Sequence, residues 1–222
     1  MTDVPPPPPP SSFGAPPPSS GPDVGASLSY GWKKFQENVG PLIGIILAPF
    51  AVLFLIEIIG AVVIRGFFGF FFFYALALLV AAVAYLGIFN AGLMATRGEK
   101  VDFGKAFQTD RWGEWIGFAI VYGLMVSIGS LFCGVGALVV IAFWGLAPYY
   151  FLDQRKGIGE ALSASLEATR RISGMPLALA VAALVAWAGG LVCGVGALVT
   201  MPLGFIAGAY LYRFANGQAV AP

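Results

Sequence analysis

The side chain of this sequence best suited to chemistry is a single carboxylate within a long apolar stretch. Glu57 lies about 24 Å along a helix that starts at Pro41, at about 1.5 Å per residue. An ionisable group in such a setting is costly and suggests proton or cation coupling. The structural alternative is a carboxyl group that is neutral, or paired with Arg65 or with a polar group on another helix. We favour this alternative and group Glu57, Arg65 and Asn90 as a candidate intramembrane polar site.

Two cysteines occupy equivalent places in a repeated heptapeptide, CGVGALV, which occurs at residues 133–139 and 193–199. We interpret each copy as a tight turn between two helices on the outer side of a membrane. An oxidising compartment would permit a bond between Cys133 and Cys193 there. The alternative, which we favour, is two small apolar turn residues in a duplicated motif.

Several kinds of active site are excluded by residue type. The chain has no His, so neither a Ser/His/Asp nor a Cys/His arrangement can form. Two Cys without His cannot supply an ordinary metal site, and no phosphate-binding glycine loop is present. A net charge of +1 argues against a nucleic-acid partner. We therefore predict no enzymatic activity, no catalytic residues, no cofactor and no metal.

The elements that hold these residues are predicted to be membrane helices. Apolar residues make up 59% of the 222 and charged residues only 10%, which is too apolar for a soluble fold of this size. We predict an all-α integral membrane protein, with the lipid bilayer as its main partner. Six apolar stretches are long enough to span it, at about 41–64, 67–94, 113–133, 135–152, 175–193 and 195–213.

The segments between the spans are polar and partly amphipathic. Residues 1–22 are low complexity, residues 23–214 form the transmembrane domain, and residues 215–222 form a short tail. Segments 23–40, 96–112 and 153–174 are predicted to contain helices at the membrane surface. The apolar face expected for the first of these consists of Val24, Leu28, Trp32, Phe35 and Val39.

The sequence contains three copies of one repeated unit. Val24–Ser29 aligns with Ile158–Ser163, and Phe103–Phe107 aligns with Ile158–Leu162. Each copy continues through a surface helix into two spans. We therefore predict three parallel units, each an interfacial helix followed by a transmembrane hairpin. Glycines spaced four apart, as at Gly204 and Gly208, predict close helix packing.

Positive charge predicts the orientation. Every Lys and Arg except Arg65 falls on the side of the N-terminus and the two polar loops. Such residues are concentrated in cytoplasmic segments, so both termini are predicted to be cytoplasmic. The N-terminal sequence also lacks the pattern of a cleavable signal peptide, which assigns targeting to the first span.

Proline dominates residues 1–22, with runs at 5–10 and 16–18. Such runs favour extended polyproline II and do not form a packed core. One hypothesis is a docking arm for an aromatic-lined groove on a cytoplasmic protein. The alternative, which we favour, is a solvated tail with no dedicated partner.

Three segments resemble known sequences: SLSYGWKKFQENVGPLIG near the start, GIGEALSASLEATRRISG in the second loop, and GVGALVTMPLGFIAGAYLYR near the end. They are similar to bacterial six-span membrane proteins related to the membrane domain of some glycerophosphodiester phosphodiesterases. The proline-rich head also resembles actinobacterial proline- and glycine-rich membrane proteins. The resemblance implies a six-helix fold in a bacterial plasma (inner) membrane, and it brings no catalytic residues.

The sequence favours a non-enzymatic scaffold or accessory subunit of the cell envelope. Its partners would be a cytoplasmic protein bound to the proline-rich tail, and a membrane-protein complex or a second copy of the chain. The alternative is a small transporter or permease-like carrier that uses Glu57.

Overall fold

The structure is a computed structural model that describes residues 21–63, 67–132, 134–191 and 195–222. Within those ranges the regular secondary structure is helical. Several predicted features lie outside the described residues, namely most of the proline-rich segment, Arg65, Cys133 and Cys193.

Ten α-helices follow one another along the described chain. Their bounds are α1 (Val24–Glu37), α2 (Val39–Val63), α3 (Phe67–Arg97), α4 (Phe103–Ala106), α5 (Trp112–Ser130), α6 (Val135–Trp144), α7 (Ala147–Asp153), α8 (Ile158–Arg171), α9 (Met175–Ala188) and α10 (Ala197–Ala215). A short 3-10 turn, Gly189–Leu191, extends α9.

Five of these elements are long and apolar enough to cross a bilayer: α2, α3, α5, the α6–α7 pair and α10. The stretch predicted as a span at 175–193 is shorter, because α9 has 14 residues and bends by 113° from α8 at Gly174. A sixth span is counted if α8 and α9 are taken as one bent element. Alone, α9 is about 21 Å long and its 3-10 turn adds about 6 Å, close to the roughly 30 Å of a bilayer core.

Helix α10 is central, and it packs against α1, α3 and α9. Small residues make this packing possible. A Cβ atom added at Gly204 would lie 2.6 Å from the carbonyl oxygen of Ala182 in α9. One added at Gly208 would lie 2.7 Å from the Tyr149 hydroxyl. The predicted glycine pair in α10 is thus in close contact, whereas Gly40 and Gly113 face open space.

The side of α1 that is buried differs from the predicted apolar face. Ser27, Gly31, Lys34 and Phe35 are buried, whereas Trp32 is 45% exposed. Close backbone approach explains this, since a Cβ atom on Gly31 would lie 2.8 Å from the Leu203 carbonyl oxygen. At Gly31, small size and not hydrophobicity allows the close approach to α10.

Helices α1, α4 and α8 start at positions that the sequence alignment makes equivalent. Asp23 accepts a hydrogen bond from the Ala26 N–H at 2.9 Å, and Asp102 accepts one from the Lys105 N–H at 2.8 Å. At α8 the Glu160 carboxylate accepts from the Gly157 N–H at 3.1 Å. These are N-terminal caps that satisfy free backbone donors.

The buried residues of α1, α4 and α8 also fall at equivalent positions. Ser27, Ala106 and Ala161 occupy the fourth residue of α1, α4 and α8, and each has 0% exposure. In α8 the buried residues are Ala161, Ser165, Ala168 and Thr169, each 134 positions after a buried residue of α1.

Glycine contacts recur beside the two heptapeptide copies. A Cβ atom on Gly129 would lie 2.6 Å from the carbonyl carbon of Gly136, where α5 and α6 meet. One on Gly196 would lie 2.8 Å from the Gly189 carbonyl oxygen, at the meeting point of α9 and α10. In the second case the Thr200 hydroxyl also accepts from the Gly189 N–H at 3.2 Å. The two contacts are 60 residues apart, as are the two copies of the heptapeptide.

Candidate functional site

Glu57 lies on the C-terminal half of α2, which is the half predicted to be outer, and its side chain is exposed. Among the described residues it makes no hydrogen bond or ion pair. Its neighbours on the helix, Phe54 and Ile58, are 66% and 47% exposed. The predicted alternative partner, Arg65, lies outside the described residues. The described structure therefore places the Glu57 carboxyl group on an apolar outer surface.

Asn90 occupies the opposite end of the bundle. Its amide donates to the Ala106 carbonyl at 2.9 Å and more weakly to that of Gln108 at 3.4 Å, so it caps the end of α4. Phe103 of α4 in turn lies against Gly44 of α2. Glu57 is about 13 residues beyond Gly44, or about 20 Å along the helix. The structure does not bring Glu57 and Asn90 together.

A polar cluster that the sequence did not predict joins three helix ends. Asp153, at the end of α7, forms an ion pair with Arg97 at the end of α3. The same carboxylate accepts a hydrogen bond from the Tyr212 hydroxyl at 2.7 Å and lies 4.0 Å from the Arg213 guanidinium in α10. The Asp153 and Arg213 side chains are only 11% and 13% exposed. We call Arg97, Asp153, Tyr212 and Arg213 the helix-end cluster.

The sequence contained a signal for the helix-end cluster. An acidic residue follows the predicted span 135–152, while one arginine follows the span 67–94 and another ends the span 195–213, all on the side predicted to be cytoplasmic. Side-by-side spans bring such opposite charges together. From sequence alone, these arginines indicated only the orientation of the spans.

The C-terminal segment is bound against the same end of the bundle. The Ala221 N–H donates to the Thr96 carbonyl at 3.1 Å, and Gln218 accepts from Arg213 at 2.9 Å. Lys34 donates to the Pro222 carbonyl at 2.5 Å and to Glu37 at 2.8 Å. Residues 216–222 thus cross the ends of α1, α3 and α10.

Tyr30 of α1 lies beside this segment and donates to the Ala95 carbonyl at 3.1 Å. Burial raises the pKa of Tyr30 to about 12, and the nearby Glu37 carboxylate adds to the rise. The phenol therefore stays neutral at physiological pH and keeps its hydrogen bond to α3.

An exposed ion pair joins the two polar loops. Arg155 donates to both carboxylate oxygens of Asp110, at 2.6 and 3.2 Å. The hydrogen bond from Arg155 lowers the pKa of Asp110, and Asp110 raises the pKa of Arg155. Nearby, Arg111 stacks on the Phe151 ring at 4.7 Å and pairs with Glu114. These contacts tie the α4–α5 loop to the α7–α8 loop.

An enclosed cavity lies between α2, α3 and α10. Its volume is about 10 Å³, which is at the lower limit for one water molecule. Its lining is wholly apolar and consists of Leu42, Ile45, Ile46, Ile88, Ala91, Pro202 and Ile206. No group of three or more His, Cys, Asp or Glu side chains suited to a metal ion occurs in the part of the chain that the structure describes.

Aromatic packing fills the space beside this cavity. Phe89 contacts the rings of Tyr149 and Phe205 edge to face, with centroids 5.1 and 4.9 Å apart. The Tyr149 hydroxyl donates to the Phe205 carbonyl at 2.7 Å, and Trp115 donates to the Ala82 carbonyl at 2.9 Å. Each of these buried polar groups has a partner, so the aromatic layer is a packed and satisfied core.

The described polar side chains thus act mainly between helices. Comparison of the chain with protein-family models, curated proteins and solved structures found no match. The resemblance to bacterial six-span membrane proteins remains a prediction.

Proposed function

We propose that this chain is a six-span membrane protein built from three parallel units, with both termini in the cytoplasm. Equivalent helix starts at Asp23, Asp102 and Gly157 support the three units. The matching glycine contacts beside the two heptapeptide copies support a common turn in the second and third units. The positive residues of the loops support a cytoplasmic location for both termini.

We further propose that the protein is a non-enzymatic scaffold or accessory subunit of the bacterial cell envelope. The observation that carries this proposal is the small size of the cavity between α2, α3 and α10, which has a volume of about 10 Å³ and an apolar lining. Such a space offers a polar substrate neither room nor hydrogen-bonding groups. The surfaces that remain for function are the outer helix faces, an open groove of about 520 Å³ lined by Phe107, Gln108, Thr109, Asp110 and Trp112, and the proline-rich segment.

Transport coupled to Glu57 is the second candidate, and the exposed carboxyl group within a span is the observation in its favour. Its position favours the scaffold instead. Glu57 lies on the surface of the outer half of α2, whereas the cavity begins at Leu42, Ile45 and Ile46 of the inner half.

The test of the scaffold proposal is site-specific crosslinking and affinity capture from native membranes. The full-length chain is compared with a variant lacking residues 1–22 and with a length-matched variant. In the latter, the prolines of 5–10 and 16–18 are replaced by alternating Gly and Ser. We expect one cytoplasmic protein to be captured by the full chain and lost from both variants, because only the native segment forms polyproline II.

Each other outcome removes part of the proposal. Capture that survives in the Gly/Ser variant means that length, and not polyproline II, determines binding. Capture unchanged by both variants contradicts a docking role for the segment. In parallel, Glu57→Gln is assayed in proteoliposomes for proton-coupled flux of candidate solutes. Loss of a flux that the native protein supports favours the carrier and contradicts the scaffold.

A further inference from the structure

The outer half of the α2–α3 pair is not covered by the rest of the described bundle. No side chain of residues 50–60 or 71–81 is buried. On the inner half, by contrast, Leu42, Ile45 and Ile46 are at most 3% exposed, because α10 and α4 pack near them. In this half, α2 and α3 form a layer that is one helix thick. Both faces of the layer are therefore free to contact the bilayer.

Both surfaces carry exposed apolar side chains at helical spacing, such as Val52, Leu55 and Ile59 on one of them, and the stripe on the other also carries a carboxyl group. Leu47, Phe50, Phe54 and Glu57 are spaced by three, four and three residues, and the three apolar members are 47%, 49% and 66% exposed. This spacing is that of the seam between two helices of a left-handed pair. The stripe has no facing helix among the described residues. We call it the α2 seam.

Glu57 is the polar member of the α2 seam, and a carboxyl group that faces lipid is costly. A facing polar group would reduce that cost. A neutral carboxyl group is both a donor and an acceptor, so it is complementary to a second carboxyl group. Copies inserted in the same direction hold identical residues at the same depth. A two-fold axis along the membrane normal therefore brings Glu57 opposite Glu57.

We propose that two copies of this chain pack along their α2 seams as a parallel dimer, with the two Glu57 carboxyl groups hydrogen-bonded to each other. A single polar residue in an apolar seam fixes register and the number of helices. The proposal requires that α2 crosses a bilayer. It is independent of what the proline-rich segment binds and of any scaffold role.

The first test is disulfide crosslinking of the full chain in native membranes. In a background in which Cys133 and Cys193 are replaced by Ser, one cysteine is introduced at Phe54 or at Leu55. Both positions are highly exposed, at 66% and 57%, but Leu55 faces away from the seam. We expect a covalent dimer for Phe54→Cys and little for Leu55→Cys. Phe50→Cys provides a second seam position.

The second test changes the polar group. Glu57→Gln keeps a group that donates and accepts, so we expect crosslinking at position 54 to be retained. Glu57→Leu removes it, and we expect dimerisation to weaken by about 3- to 20-fold, measured as dimer fraction against the protein-to-lipid ratio. The midpoint of thermal unfolding checks that the variants fold, and Glu57→Ala is used if Leu does not.

Three results would overturn the dimer. Equal crosslinking at positions 54 and 55 would mean random collision in the bilayer. Unchanged dimerisation in the Leu variant would remove Glu57 from the contact. A crosslink from position 54 to another protein, with no covalent homodimer, would assign the seam to a different transmembrane partner.

Discussion

Asp153 is the residue whose charge joins three helix ends. It faces Arg97, Arg213 and the Tyr212 hydroxyl, and its side chain is only 11% exposed. Removing the acidic partner of two arginines leaves them with positive charge and incomplete hydrogen bonding. Arg97 is 39% exposed, so solvent compensates part of its loss, whereas Arg213 is largely buried.

For Asp153→Asn we expect a loss of about 2 kcal/mol in the free energy of unfolding, between the values of exposed and buried ion pairs. The measurement is denaturant or thermal unfolding of the purified protein in detergent. The matched control is Asp110→Asn. Its pair with Arg155 is fully exposed, so at neutral pH, where the lowered pKa keeps Asp110 charged, we expect little change. Equal effects of the two variants would contradict a special role for the helix-end cluster.

At the scale of the helix, glycine contacts decide where two helices meet beside the two heptapeptide copies. Gly129 meets the backbone of Gly136, and Gly189 meets that of Gly196, so each site has no space for a Cβ atom. Backbone atoms cannot move aside as a flexible side chain can. Each contact requires a glycine in both of the neighbouring elements, so it depends on the pair and not on one residue alone.

We expect Gly129→Ala and Gly189→Ala each to destabilise the protein by about 1–3 kcal/mol, the usual cost of overpacking. The matched controls are Gly123→Ala in α5 and Gly190→Ala, where an added Cβ atom meets nothing within 4 Å. Alanine is favoured over glycine in a helix, so Gly123→Ala should be neutral or slightly stabilising. Thermal unfolding midpoints of the four variants, compared pairwise, distinguish packing from helix propensity.

The apolar pattern predicted the helices well and their contacts poorly. It located α2, α3, α5 and α10 within a few residues, because unbroken apolar sequence of that length has few other outcomes. It did not indicate which face of α1 packs against the other helices, where Gly31 and Lys34 are buried and Trp32 is exposed. Burial there depends on the shape of α10, and no local pattern contains that information.

The candidate sites show the same contrast between what a local pattern predicts and what only the folded structure shows. Glu57 was recognisable from sequence, because one carboxylate in an apolar stretch is evident without coordinates. The charges of Asp153, Arg97 and Arg213 at the ends of predicted spans were also visible, but which of them meet was not, because they are far apart in sequence and come together only in the folded bundle.

At the scale of the whole molecule, the path of α9 determines the topology. α8 and α9 meet at an angle of 113°, which fits either a surface helix followed by a span or a loop that enters and leaves on one side. Ser173 precedes α9, and Val195 follows its 3-10 turn. In the six-span arrangement these two residues lie on opposite sides of the membrane. In a re-entrant arrangement they lie on the same side.

Cysteine labelling in intact cells distinguishes the two arrangements. In the background with Cys133 and Cys193 replaced by Ser, we expect a membrane-impermeant maleimide to label Val195→Cys, whose native side chain is 70% exposed. Ser173→Cys should react only after permeabilisation, since the adjacent Arg170 and Arg171 favour the cytoplasm. Labelling of Ser173→Cys alone in intact cells would reverse the assignment, and labelling of both would make α9 re-entrant from the outside. Labelling of neither before permeabilisation and of both after it would make α9 re-entrant and leave five spans.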